Sequence, residues 1–137
     1  MKRRRSREYA LQILFQLELT GTELNDDLLI EFWKGINNEP DDVKDFAHRI
    51  VRETLANRDK IDEIIINAAQ NWSFERMAVI DRNLLRAATY ELSFREDIPN
   101  SVVINEAIEI AKKFSTEESA SFINGILDRI AKESQKK

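Results

Sequence analysis

The sequence predicts an all-α fold of seven helices, and three observations predict it. Apolar residues recur at i, i+3, i+4 and i+7 along nearly the whole chain. Only 3 Gly and 2 Pro occur in 137 residues, and a fold of many short strands needs far more turn residues than that. Short polar or capping segments interrupt the helical pattern at intervals of one helix length.

The first helix is expected from Arg4 to Leu19, with Ala10, Ile13, Leu14 and Leu17 as its inner stripe and Gly21 as its C-terminal cap. The second starts near Asp26, capped by Asn25 or Asp26, carries Leu28, Leu29, Phe32 and Trp33, and ends around Gly35. The third follows Pro40, with Asp41 and Asp42 at its positive end. Its core side is Val43, Phe46, Ala47, Ile50, Val51 and Leu55. Asn57-Arg58-Asp59 breaks the axis, and a fourth helix buries Ile61, Ile64, Ile65 and Ala68. Ser73 is the expected N-cap of the fifth, whose Ile80, Leu84, Leu85, Ala88 and Leu92 cover more than one side and mark it as central. The sixth runs from Ser101 to Lys113. The seventh opens with a capping box in which the Ser115 hydroxyl accepts from the Glu118 amide, and it carries Phe122, Ile123, Ile126, Leu127 and Ile130. Gly125 inside it predicts a close helix contact, and the Gln-Lys-Lys end is expected to fray.

A length of 137 residues with 42% hydrophobic content suits one domain, spanning 1–137, around a single core. No apolar run approaches the roughly 18 residues of a membrane span, and no apolar stretch with a cleavage site follows the basic start. Cysteine is absent, which excludes disulfides and thiolate chemistry and fits a cytoplasmic setting. Catalytic groups are scarce. The sole histidine, His48, reads as an ordinary surface residue, and three scattered glycines cannot build a phosphate loop. No metal-ligand spacing occurs, so no enzyme, cofactor or metal is expected.

Charge is more informative by position than in sum. Lys2, Arg3, Arg4, Arg5 and Arg7 precede any acid, and the other 130 residues hold 16 of the 21 cations against all 25 acids. A cationic arm on an acidic body points to a polyanionic partner. Arginine forks phosphate and stacks on bases, and single-stranded RNA calls for both cations and flat rings. Phe15 lies off the inner stripe of its helix and is a candidate ring, whereas Trp33 and Trp72 read as core or interhelix residues.

Three blocks carry a family resemblance. The first is Arg4-Arg5-Ser6-Arg7-Glu8-Tyr9-Ala10-Leu11-Gln12 followed by Leu14-Phe15. The second is Ile80-Asp81-Arg82-Asn83-Leu84-Leu85-Arg86 running into Tyr90-Glu91-Leu92. The third joins Asp97-Ile98-Pro99, the stretch from Val103 to Phe114, Ser119, and Phe122-Ile123-Asn124-Gly125-Ile126-Leu127-Asp128. In this order they resemble the bacterial NusB family over essentially the whole chain.

The resemblance implies two small helical bundles packed crosswise and a non-enzymatic transcription antitermination factor. It implies pairing with NusE, a ribosomal protein of the small subunit, and joint binding of single-stranded boxA RNA, notably in ribosomal RNA leaders. It also implies entry into the RNA polymerase elongation complex with other Nus factors. Carried over to this chain, RNA contact falls to Arg3, Arg4, Arg5 and Arg7, to Phe15, to Asp81, and to Glu118 and Phe122 at the start of the last helix. Phe15 replaces a frequent Tyr, and Glu118 cannot neutralise phosphate. Asn83 and Thr89 replace small apolar residues and are expected to face solvent or a partner. The partner surface is expected around Trp72 to Leu92. The rival readings are an RNA-docking module like the N-terminal domain of some RNA cytosine methyltransferases, and a helical adaptor that binds protein alone.

Overall fold

A computed structural model describes residues 2–134. It contains α1 (Lys2–Thr20), α2 (Asp26–Lys34), α3 (Asp41–Ala56), α4 (Arg58–Ala68), α5 (Val79–Phe94), α6 (Asn100–Phe114) and α7 (Glu117–Glu133). A 3₁₀ turn at Phe74–Arg76 precedes α5, and no strand occurs among the described residues. No described helix is long and apolar enough to cross a membrane. The Gln135–Lys137 end lies outside the described residues.

Helices α1–α3 form one small bundle and α4–α7 the other. Helix α5 is the axle: it packs against α1, α3, α4, α6 and α7, and eleven of its sixteen residues are buried. The apolar core is one continuous cluster fed by all seven helices. Local chemistry sets the helix ends. The Asn25 side chain accepts from the Leu28 amide at 2.8 Å, and Gly21 closes α1 with φ +65°, which a residue with a side chain resists.

Several elements depart from the sequence reading. The basic opening is helix from Lys2, not an arm, although four cations at a helix N-terminus oppose its dipole. Acids from other elements offset this. Lys2 meets Asp42, Arg4 meets Glu106, Arg5 meets Glu39 and Arg7 meets Glu91. Helix α5 begins at Val79 rather than after Ser73, because Met77 and Ala78 are extended. Arg82 Nη1 donates to the Phe74 and Met77 carbonyls and holds that break in place. Helix α7 is capped by Thr116, whose hydroxyl accepts from the Ser119 amide at 3.0 Å; Ser115 instead ends α6.

Asn83 and Thr89 are buried rather than outward-facing, since α5 has almost no open side. Asn83 is satisfied by donating to the Val79 carbonyl and accepting from Arg86. His48 is no free surface group: its Nε2 accepts from the Trp33 indole N–H at 2.7 Å, tying α2 to α3. Gly125 supports no close contact. A Cβ placed there meets nothing within 4 Å.

Two expectations follow. Gly125→Ala should raise stability by about 0.5–1 kcal/mol, since it lowers the entropy lost on folding without a clash; a higher melting temperature is the readout. Burial holds the His48 imidazole below its ordinary value of 6.5. The unfolded chain then takes up a proton before the folded one, so stability is full above about pH 6.5 and declines as pH falls toward the folded value. Urea unfolding at about pH 7 and pH 5.5 should show that loss, and His48→Gln should remove most of it.

Candidate nucleic-acid interface

Two clefts adjoin at the turn between α6 and α7. The first, of about 480 Å³, is lined by Arg4, Arg5, Glu8, Tyr9, Gln12, Lys113 and Phe114. Helix α1 supplies one wall at helical spacing, and the end of α6 supplies the other, joined by the Lys113–Glu8 pair at 2.9 Å. Three cations and one acid line it, and each cation is paired: Arg4 with Glu106, Arg5 with Glu39 and Lys113 with Glu8. Tyr9 donates to Glu39, and the buried hydroxyl is pushed up to about 12, so it stays a neutral donor at any physiological pH.

The second cleft, of about 600 Å³, is lined by Asn71, Trp72, Ser73, Arg76, Met77, Asp81, Thr116, Glu118, Ser119 and Phe122. It is built where the 3₁₀ turn, the start of α5 and the start of α7 converge. Arg82 anchors the turn, and through its other nitrogen it pairs with Glu18 of α1. The Arg129 guanidinium donates to the Ala68 carbonyl at 2.7 Å and ties α7 to the end of α4. Trp72 is 60% exposed and meets Phe122 edge-on, ring centroids 4.8 Å apart. The open indole face offers a stacking surface for a flat ring.

Asp81 forms the floor of this cleft and is 6% exposed. Its Oδ2 accepts from the Ser119 hydroxyl at 2.8 Å, while Oδ1 is buried without a partner. A buried acceptor without a donor is costly. Glu118 is exposed in the first turn of α7, where its charge suits the helix dipole. With Asp81 and Glu118 against Arg76, this cleft disfavours phosphate and suits donor groups on a base edge.

Phe114 lines the first cleft and Thr116 the second. Two backbone steps separate them, so their Cα atoms lie no more than about 8 Å apart. Both clefts therefore draw a lining residue from the α6–α7 turn.

Known proteins match this chain along nearly all of its length. A sequence model of the NusB family matches residues 4–132. The chain belongs to the NusB family. The transcription antitermination protein NusB of Thermodesulfovibrio yellowstonii is 50% identical over 97% of this chain and 93% of its own length. That of Desulfitobacterium hafniense is 48% identical over 100% and 93%. The solved structure of T. maritima NusB is 46% identical, with a TM-score of 0.84 over 96% of this chain and 91% of that one. A solved complex of the antitermination factors NusB and NusE with double-stranded RNA has a chain 27% identical to this one. It superposes with a TM-score of 0.86 over 96% of this chain and 97% of the other. This NusB-family chain is accordingly an all-α transcription antitermination factor.

Within the NusB-family fold, the expected RNA residues fall into separate places. Arg4 and Arg5 line the cationic cleft, and Asp81, Glu118 and Phe122 line the second. Arg3 is exposed and lies on the Phe46 ring outside both. Phe15 is half-buried on α1 and lines neither cleft. Arg7 requires a correction. It is 9% exposed and forks Glu91 through Nε and Nη2 at 3.0 and 2.8 Å, so it is a core ion pair rather than a free cation. Asp81 bonds Ser119 rather than bridging to Arg82 or Arg86, which pair with Glu18 and Asp62. The expected partner surface also contracts. Burial of α5 removes most of Trp72 to Leu92 and leaves the link before Val79.

Trp72 was expected as a core or interhelix residue; it packs on Phe122 of α7 but is the most open ring of the second cleft. Its flanking Asn71 and Ser73 were the available signal, since they place it in a link rather than on a periodic helix face. Lys113 and Gln12 were legible only as helix surface.

The two classes of arginine should separate on mutation. Arg7→Ala leaves a buried carboxylate and should cost about 3–5 kcal/mol. Arg5→Ala breaks a partly exposed pair and should cost less than about 1 kcal/mol. Urea unfolding of both variants distinguishes them.

Proposed function

We propose that this chain binds the unpaired boxA element of nascent RNA together with NusE, and through that complex joins elongating RNA polymerase with other Nus factors, in the cytoplasm. Support comes from the adjoining pair of clefts, one suited to phosphates and one to bases. In this reading the mechanism is assembly, with no bond made or broken.

Lys2, Arg3, Arg4 and Arg5 supply the electrostatic attraction. Three of them are paired with acids in the free protein, Lys2 in an exposed pair and Arg4 and Arg5 in part-buried ones, and phosphate oxygens compete with those carboxylates. These contacts hold the strand without reading it. Reading falls to the second cleft. A base stacks on Trp72 beside Phe122, and its N–H edge donates to the Glu118 carboxylate at the rim. Phe15 on α1 adds a ring beside the strand or the protein partner. The exposed link around Trp72 to Met77 offers NusE a surface next to the RNA, so each partner steadies the other.

RNA binding by fluorescence anisotropy tests this, with boxA RNA and a scrambled strand of equal length, with and without NusE. Four phosphate contacts predict a slope of log K against log salt of about −3. Arg4→Ala with Arg5→Ala should flatten that slope by about 1.4 for both strands alike. Trp72→Ala should weaken boxA by roughly 5- to 100-fold, lower its preference over the scrambled strand and leave the slope unchanged. Wild-type protein that binds neither strand in the presence of NusE overturns the proposal.

A further inference from the structure

We propose that Arg82 is a positioning residue for base reading: from outside the second cleft it fixes the link that carries Trp72 and ties that link to α1. The inference rests on the RNA-binding reading above and adds to it the residue that holds the stacking ring in place.

The link between α4 and α5 has little core of its own. No residue of its 3₁₀ turn is buried, and Asn71, Trp72 and Ser73 are exposed. Only Phe74 and Met77 reach the edge of the core. A ring on such a link is a poor platform unless the backbone beneath it is restrained. Arg82 supplies the restraint. Its Nη1 donates to the carbonyls of Phe74, Glu75 and Met77 at 3.2, 3.4 and 3.3 Å. One guanidinium nitrogen thus spans the whole turn.

The other side of the same guanidinium is fixed as well. Its Nη2 pairs with Glu18 of α1. Glu18 also accepts from Arg86, which forks Asp62 of α4 at 2.8 and 3.1 Å. Two arginines and two carboxylates therefore form a neutral set that joins α1, α4 and α5. Arg82 and Arg86 also approach the Phe74 ring, with Cζ 5.6 and 5.2 Å from its centroid. Burial pushes the Glu18 carboxyl up, but the bonds from Arg82 and Arg86 outweigh it and hold the group below its ordinary range. The set stays charged at neutral pH.

Arg82 lines neither cleft, so its effect is geometric. Helix α1 is continuous from Lys2 to Thr20, and Glu18 rides on the same rod as Arg4, about 21 Å further along. Through Glu18 and Arg82, the phosphate contacts and the Trp72 ring are held at one spacing. A planar fork suits this task, because its two nitrogens face different partners at once.

Full-length protein labelled with fluorotryptophan tests the inference, since Trp33 and Trp72 are its two tryptophans. Fluorine NMR gives one signal for each, assigned with Trp72→Phe. Arg82→Met should shift and broaden the Trp72 signal and leave that of Trp33, on α2, in place. Anisotropy with boxA RNA and a scrambled strand, NusE present, should show the boxA preference reduced about tenfold and the salt slope as in wild type. Arg82→Lys keeps the charge and still reaches the carbonyls but lacks the fork, so the loss should be only about threefold. Melting is followed for both, and the Lys variant carries the test if the Met variant is unfolded at the assay temperature. A folded variant that melts lower yet keeps the boxA preference of wild type overturns the inference and leaves the RNA-binding reading standing, with Arg82 a structural residue alone. Wild type without any boxA preference overturns both.

Discussion

The buried pair of Arg7 and Glu91 is the contact on which the rest of this molecule depends. It crosses from α1 to α5, joining the first bundle to the axle of the second. Two nitrogens meet one carboxylate with little water nearby, so the pair is strong in place and costly to break. Around it Lys2, Arg4 and Arg5 turn outward, each toward an acid on a different element, and Arg3 lies over the Phe46 ring. The same six-residue stretch therefore does two opposed things. One arginine locks the helix down, and its neighbours face solvent because the helix is locked in that rotation.

That rotation determines the surface. With Arg7 inward, helical spacing turns Arg4 and Arg5 with Tyr9 and Gln12 to one cleft and Arg3 toward Phe46. The chain then uses the α6–α7 turn to bring a second, differently charged groove alongside. The acidic body, net −9 beyond residue 7, also limits where a polyanion can settle.

Ion pairs at the basic end have a further consequence. The free protein holds Arg4 and Arg5 in defined positions by part-buried ion pairs, which limits the side-chain entropy left to lose on binding. Glu39 and Glu106 occupy the N–H groups of Arg5 and Arg4 in the free protein. Glu39 is held ionised below its ordinary range by the Tyr9 hydroxyl and by Arg5. Glu106 is likewise kept ionised by Arg4.

The sequence by itself determined the helices and the composition of the surface. Periodicity placed Ala10, Ile13, Leu14 and Leu17 inward, Asn25 and Gly21 marked helix ends through their own hydrogen bonding and backbone freedom, and three motif blocks carried the family resemblance. These are local properties, set within a few residues of chain. What only the tertiary structure decided was the fate of groups whose partners lie far away in sequence. Arg7 is indistinguishable from Arg5 until Glu91, 84 positions on, removes it from solvent. Asn83 and Thr89 looked outward by type, but α5 is enclosed by five helices. Trp72 looked buried by type, but it lies in a link whose backbone is held by Arg82, and no helix covers it. Burial and charge pairing are sums over the whole fold, so a sequence pattern can nominate Asp81, Phe122 and the arginines without showing which of them meet.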